Sequence, residues 1–102
     1  MTEEFIRFEK DPELCQIFIS GEVDLSNSGE LRKTILGALK TTPAVKVNLS
    51  GVEYIDSSGI AAMVEGLQFA NSHSKSFYLC DPSPQVRSIL ELARLDQVFD
   101  ID

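Results

Sequence analysis

The sequence is poor in the residues that most often carry metal and redox chemistry, with two cysteines and one histidine among 102 residues. Cys15 and Cys80 lie in strand-like runs, with no CxxC pair and no disulfide-dense framework. They read as buried free thiols acting as small hydrophobes in a reducing cytosol, a two-cysteine redox switch being the other reading. With His73 as the lone histidine, a zinc site would need both cysteines plus carboxylates, so no metal and no cofactor is expected. Long apolar runs are missing too. The longest, Ile60-Ala61-Ala62-Met63-Val64, is far too short to cross a bilayer, and the acidic start Met1-Thr2-Glu3-Glu4 has no secretory apolar region. Direct membrane insertion is therefore not expected, and a cytoplasmic location is. Positive charge is also scarce: 9 Lys and Arg face 16 Asp and Glu, a net charge of −7, which argues against nucleic acid or anionic lipid as the main partner.

What is present is an ordinary globular composition, 43% hydrophobic, without repeats or flexible linkers, so residues 1–102 read as a single domain. Phe5-Ile6-Arg7-Phe8 reads as a short strand, ended by the turn at Asp11-Pro12. Cys15, Ile17, Ile19 and Val23 then alternate with Gln16, Ser20 and Glu22, the period of a half-buried strand. The two runs predict an antiparallel hairpin, and Gly21 a bulge or a close backbone approach. A first helix is expected from about Ser26-Asn27-Ser28, with Asn27 and Glu30 at capping-box spacing and Leu31, Ile35, Ala38 and Leu39 as its apolar stripe. Thr41-Thr42-Pro43 stops it.

Val45, Val47 and Leu49 form a further strand, followed by a short connection over Ser50–Tyr54. A second helix begins at Asp56-Ser57-Ser58-Gly59 and runs to about Asn71. On its wheel Ile60, Met63, Val64, Leu67 and Ala70 cluster on one side, with Phe69 opposite among Ala62, Glu65 and Gly66. Phe77 to Cys80 read as a strand, and Ser83-Pro84 opens a third helix bearing Val86, Ile89, Leu90 and Ala93. The order predicts an α/β domain whose mixed sheet has four to five strands, an N-terminal hairpin and helices packed on it.

Asp56, Ser57 and His73 supply the residue types of a nucleophilic triad. About 16 residues of helix, roughly 24 Å, separate the serine from the histidine, and no nucleophile elbow is present. Phosphate-binding glycine loops are also missing, and a phospho-accepting Asp56 lacks the carboxylate pair and lysine of an Mg²⁺ pocket. No catalytic residues are expected, and the chain reads as a non-enzyme. The hydroxyl pair at the mouth of the second helix remains. Asp and Ser cap helices, satisfying orphan N–H groups; an exposed serine there is also open to a kinase, the helix dipole accommodating the phosphate. The two roles are compatible. Phe69 is either covered by another element or a contact residue on a small surface with Ala62, Glu65 and Gly66.

From Val47 to Gly59 a hydrophobic strand leads through a short segment into Asp56-Ser57-Ser58-Gly59. Together with Gly21-Glu22-Val23-Asp24 and the closing Leu95-Asp96-Gln97-Val98-Phe99, this resembles the STAS family, in particular its small anti-sigma factor antagonists, over about residues 3–101. The resemblance implies a STAS-like fold and phosphorylation of Ser57, with Ser58 the second choice, near Asp24, Asp56 and Gly59. It further implies a partner anti-sigma factor that is also a serine kinase, bound before phosphorylation and released after it, and a PP2C-like phosphatase that reverses the switch. A second branch resembles the STAS subunit of lipid-transport ABC transporters, whose partner is an ABC ATPase. That branch tends to carry Thr-Gly after the aspartate, so Ser57-Ser58 favours the first. A stressosome-like scaffold is a third possibility, usually associated with extra domains. Residues 47–74 carry Glu53, Asp56 and Glu65 but no Lys or Arg, so nothing in that segment neutralises a phosphate on Ser57.

Overall fold

The computed structural model describes residues 4–102. Five strands form one sheet in the order β1-β2-β3-β4-β5: β1 Ile6–Lys10, β2 Cys15–Val23, β3 Ala44–Ile55, β4 Ser76–Cys80 and β5 Asp100–Ile101. Only β1 runs antiparallel to its neighbour, β2, and the other pairings are parallel. The helices are α1 Ser28–Thr41, α2 Ser57–Ser72 and α3 Pro84–Leu92, with a 3₁₀ turn at Leu95–Gln97 before β5. The expected α/β domain with a mixed sheet and an N-terminal hairpin is what forms.

The alternation in β2 sets the sidedness of the sheet. Cys15, Ile17, Ile19 and Val23 are buried in the core with Leu31, Ile35 and Leu39 of α1, while Gln16, Phe18 and Ser20 take the other face. Cys15 and Cys80 consequently point to opposite faces. Cys80 meets the Gln16 amide, with Nε2 to Sγ at 3.9 Å, and lies outside the cluster that contains Cys15. Both thiols are free, and burial pushes the pKa of each up, which leaves them as unreactive apolar groups.

β3 departs from the sequence reading. The segment Ser50–Tyr54 is not a connection but the second half of a 12-residue strand. Phe18 pairs with Asn48 yet Ser20 with Gly51, and Gly21 pairs with Val52 yet Glu22 with Tyr54. β3 thus inserts an extra residue twice, and burial in this half falls on Val52 and Ile55 rather than on alternate positions. Gly21 sits at the second irregularity with φ +88°, as its interruption of the strand suggested.

Two helix readings also change. At α1 the capping box does not form, because Asn27 turns its side chain backwards: its Oδ1 accepts from the Asp24 N–H at 2.9 Å and its Nδ2 donates to the Glu22 carbonyl at 2.9 Å. In α2 the deeply buried face is Gly59, Ala62, Met63, Gly66 and Ala70, and Ile60, Val64 and Leu67 are only half-buried at its flank. A Cβ on Gly66 would stand 2.6 Å from Ile35 Cγ2 and 3.3 Å from the Phe77 ring. α2 is wedged between α1 and β4, and only small residues fit at that crossing.

Gly66 and Gly37 give opposite expectations for added bulk. Gly66→Val should destabilise the fold by about 1–3 kcal/mol through overpacking. Gly37→Ala, where a Cβ meets nothing within 4 Å on exposed α1, should stabilise it by about 0.5–1 kcal/mol. Urea denaturation of the two variants checks both signs.

Candidate functional site

The carboxyl ends of β2 and β3 lie side by side because Val23 pairs with Ile55, and the Asp56 N–H donates to the Val23 carbonyl at 3.0 Å. Asp24 and Asp56, the residues that follow these strands, are thereby brought together at the carboxyl end of the sheet, where parallel α/β folds commonly place their functional groups. After Asp24 the chain turns on itself. The Asp24 carboxylate accepts from the N–H and the hydroxyl of Ser26, at 2.9 and 2.5 Å, and its carbonyl accepts from the N–H groups of Asn27 and Ser28. The turn leaves Leu25 81% exposed beside the site.

Asp56 caps α2. Its Oδ1 accepts from the Ser58 N–H at 2.9 Å, the Gly59 N–H at 3.2 Å and the Ser58 hydroxyl at 2.6 Å. That hydroxyl bond, aided by the N–H groups of Gly59, Ser58 and Leu25, holds the Asp56 carboxyl below the ordinary aspartate range against the opposing effect of partial burial. Gly59 is buried, and a Cβ there would meet Val23 and Ile55 side-chain carbons at 2.6 Å, so its small size lets the first turn of α2 close down on the strand ends. The two serines are thereby distinguished. Ser58 is half-buried with its hydroxyl tied to Asp56, whereas Ser57 is exposed, and its hydroxyl enters no hydrogen bond among the described residues. None of the ion pairs among the described residues includes Asp24 or Asp56.

The surface drawn from the α2 wheel does not hold together. Ala62 is 3% exposed and Gly66 is buried, both turned into the protein. Glu65 is exposed and paired with Arg32 of α1. Phe69 is half-buried against the core, and its ring stacks on His73 with centroids 3.9 Å apart. The wheel left the face open because α2 is apolar over much of its circumference, and the close approach to α1 at Gly66 turned Ala62, Gly66 and Ala70 inward together with Met63. Ala62 and Gly66 are buried for that reason and do not offer a contact surface. Exposed apolar side chains near the site are instead Leu25 and, at the end of β3, Tyr54, which is 49% exposed. The sequence reading passed over Leu25; a large apolar residue inside the polar stretch Asp24-Leu25-Ser26-Asn27 is the signal by which it could have been found. His73 follows the far end of α2 from Ser57, so no nucleophilic triad forms.

A family model described as "Mlab, STAS domain" matches residues 6–100, and the chain belongs to the STAS domain family. A curated relative from Staphylococcus epidermidis, named anti-sigma-B factor antagonist, is 25% identical over 88 residues, spanning 85% of this chain and 82% of its own. Among solved structures, the anti-sigma factor antagonist SpoIIAA in its unphosphorylated form superposes with a TM-score of 0.82 at 21% identity, over 95% of this chain and 87% of the other. The phosphorylated form of the Bacillus cell fate determinant SpoIIAA gives 0.75 at 20% identity, over 95% and 90%. These two likenesses show the fold.

The charge on Asp56 has a pH signature. Because its native pKa is lowered, its contribution to stability is complete above the ordinary aspartate value of about 3.9 and is lost as the pH falls through the lower native one. Asp56→Asn retains a capping oxygen but no charge. The variant should be less stable than the parent at neutral pH, and the gap should close in strong acid, as read from denaturation midpoints across a pH series.

Proposed function

We propose that the chain is a phosphorylation-controlled interaction switch of the anti-sigma factor antagonist type. Unphosphorylated, it binds a partner anti-sigma factor that is also a serine kinase, and a phosphate on Ser57 ends that binding. The observation that carries the reading is the contrast between the two serines. Asp56 occupies the Ser58 hydroxyl and leaves the Ser57 hydroxyl exposed at the first turn of a 16-residue helix. In the reaction Ser57 Oγ would attack the γ-phosphorus of ATP, the bond to the ADP oxygen would break, and the serine proton would pass to solvent or to a base on the kinase. Asp24 and Asp56 are placed to border the incoming phosphate rather than to perform chemistry.

The phosphate adds about −1.5 to −2 charge. It arrives beside two carboxylates in a segment that has no Lys or Arg of its own. The α2 dipole offsets part of that charge, which lets the phosphorylated domain stay folded. The rest projects outward, where an acidic or nucleotide-loaded partner face would be repelled. A PP2C-like phosphatase would restore the hydroxyl and with it the binding. The naming of relatives as anti-sigma factor antagonists, and the existence of SpoIIAA in both phosphorylation states, support this reading. The same reading places the protein in the cytoplasm, in contact with a regulator of transcription and without catalytic activity of its own.

A second reading has one specific observation in its favour, the description of the matching family model as Mlab. On it the domain would bind and stabilise the ABC ATPase of a lipid transporter, and binding would not depend on phosphate.

Incubation with the cognate kinase and ATP, read by intact mass, should show one added phosphate that Ser57→Ala abolishes and Ser58→Ala leaves in place. Unchanged phosphorylation of Ser57→Ala would remove the assignment. A pull-down from native cells separates the two readings: recovery of a kinase supports the first, and recovery of an ABC ATPase whose binding Ser57→Asp leaves unaltered supports the second.

A further inference from the structure

β1 is an edge strand, and among the described residues no strand pairs with its outer side. The orientation of its backbone follows from one hydrogen bond. The Ser20 N–H donates to the Phe5 carbonyl at 3.0 Å, and the register that pairs Ile6 with Ile19 sets Phe5 opposite Ser20. In an antiparallel ladder the hydrogen-bonding direction alternates, so residues 5, 7 and 9 direct their N–H and C=O groups at β2. Ile6, Phe8 and Lys10 direct theirs outward.

The side chains alternate as well. Phe8, opposite Ile17, lies on the α1 side of the sheet and is 59% exposed. It borders a groove of about 280 Å³ between β1 and α1, floored by Cys15, Gly37 and Ala38 and flanked by Lys10 and Lys33. Arg7 and Glu9 stand on the opposite face, with the Arg7 guanidinium 4.2 Å above the Phe18 ring and 3.8 Å from Glu9.

We propose that this edge pairs with the same edge of a second copy, antiparallel about a two-fold axis at Phe8. The pattern Ile6-Arg7-Phe8-Glu9-Lys10 is self-complementary in that register. Phe8 faces Phe8 of the partner, and the two exchange backbone hydrogen bonds. Ile6 faces the partner's Lys10, again through outward-directed backbone groups. Arg7 faces the partner's Glu9 on one side of the axis, and Glu9 faces the partner's Arg7 on the other. Registers centred on Arg7 or Glu9 put like charges in contact, which disfavours them. Charged side chains on an edge strand ordinarily discourage pairing. Here their order turns that protection into a choice of partner. The two Phe8 rings form a cross-strand aromatic pair beside the grooves, and the joined β1 strands merge two five-stranded sheets into one. The pairing uses neither Ser57 nor its neighbours and stands apart from the switch.

Sedimentation equilibrium of the full chain up to about 1 mM tests it. The parent should dimerise, and Arg7→Glu or Glu9→Arg alone should raise the dimer Kd by about ten- to a hundredfold, since each change converts both symmetric contacts from attraction to repulsion. An equimolar mixture of the two single variants should dimerise again, because the copy with acids at both positions then faces the copy with arginines at both. The double exchange should restore the homodimer. Thermal melts confirm that these surface variants fold. A parent that stays monomeric throughout, single variants that associate like the parent, or a mixture that stays monomeric would each overturn the proposal.

Discussion

The parallel pairing of β2 with β3 is the interaction on which the candidate site depends. It runs from Cys15 opposite Val45 to Val23 opposite Ile55 and absorbs two irregularities on the way. Without the two extra residues in β3, Asp56 would not emerge level with Asp24, and the Asp56 N–H would not meet the Val23 carbonyl. The bulges end the regular ladder at the place where a helix must begin and side chains must face outward, a common use of bulges near functional sites. The small side of α2, from Gly59 through Ala62 and Gly66, then seats the helix closely enough for its first turn to lie against the strand ends.

Electrostatics at the site follow from this placement. Asp56 accepts three hydrogen bonds at the positive end of a helix, which stabilises its charged form, so it is an anion before any modification. The same bonds take Ser58 out of circulation. A phosphate on Ser57 would share the helix dipole with a carboxylate that already uses it, which makes the added charge hard to neutralise from within. Two cations near α2 are engaged elsewhere: Arg32 with Glu65, and Lys75 with the carbonyls of Leu39 and Thr42. On the proposed function, the effect of a phosphate there would be directed at whatever binds this surface and not at the fold.

The fold was largely legible in the sequence because its signals are local. Alternation in β2, the helical stripe of α1, the Asp-Pro turn and the Ser-Pro helix start each depend on residues a few positions apart. The second half of β3 was not legible, since its side chains follow the spacing of two bulges, and a period near three does not resemble a strand. β5 is only two residues long and exists because Tyr78 and Leu79 give it an edge to join. For the candidate site, the Asp-Ser-Ser-Gly segment marked the start of α2 through capping chemistry, but capping alone left Ser57 and Ser58 on an equal footing.

The sequence by itself determined the α/β class, the hairpin, the start of α2 and the acidic, lysine-free character of the segment around Ser57. All of these rest on short-range periodicity, capping preference and composition. Tertiary structure decided which face of α2 is buried, because the close crossing with α1 admits only a small residue at Gly66 and so turned Ala62 and Gly66 inward. It also decided the separation of the two serines, because the fold of the first turn of α2 brings the Ser58 hydroxyl, and not that of Ser57, to Asp56 Oδ1. The union of Asp24 with Asp56 was its work as well, since a separation of 32 positions along the chain is closed only by the ladder of β2 on β3.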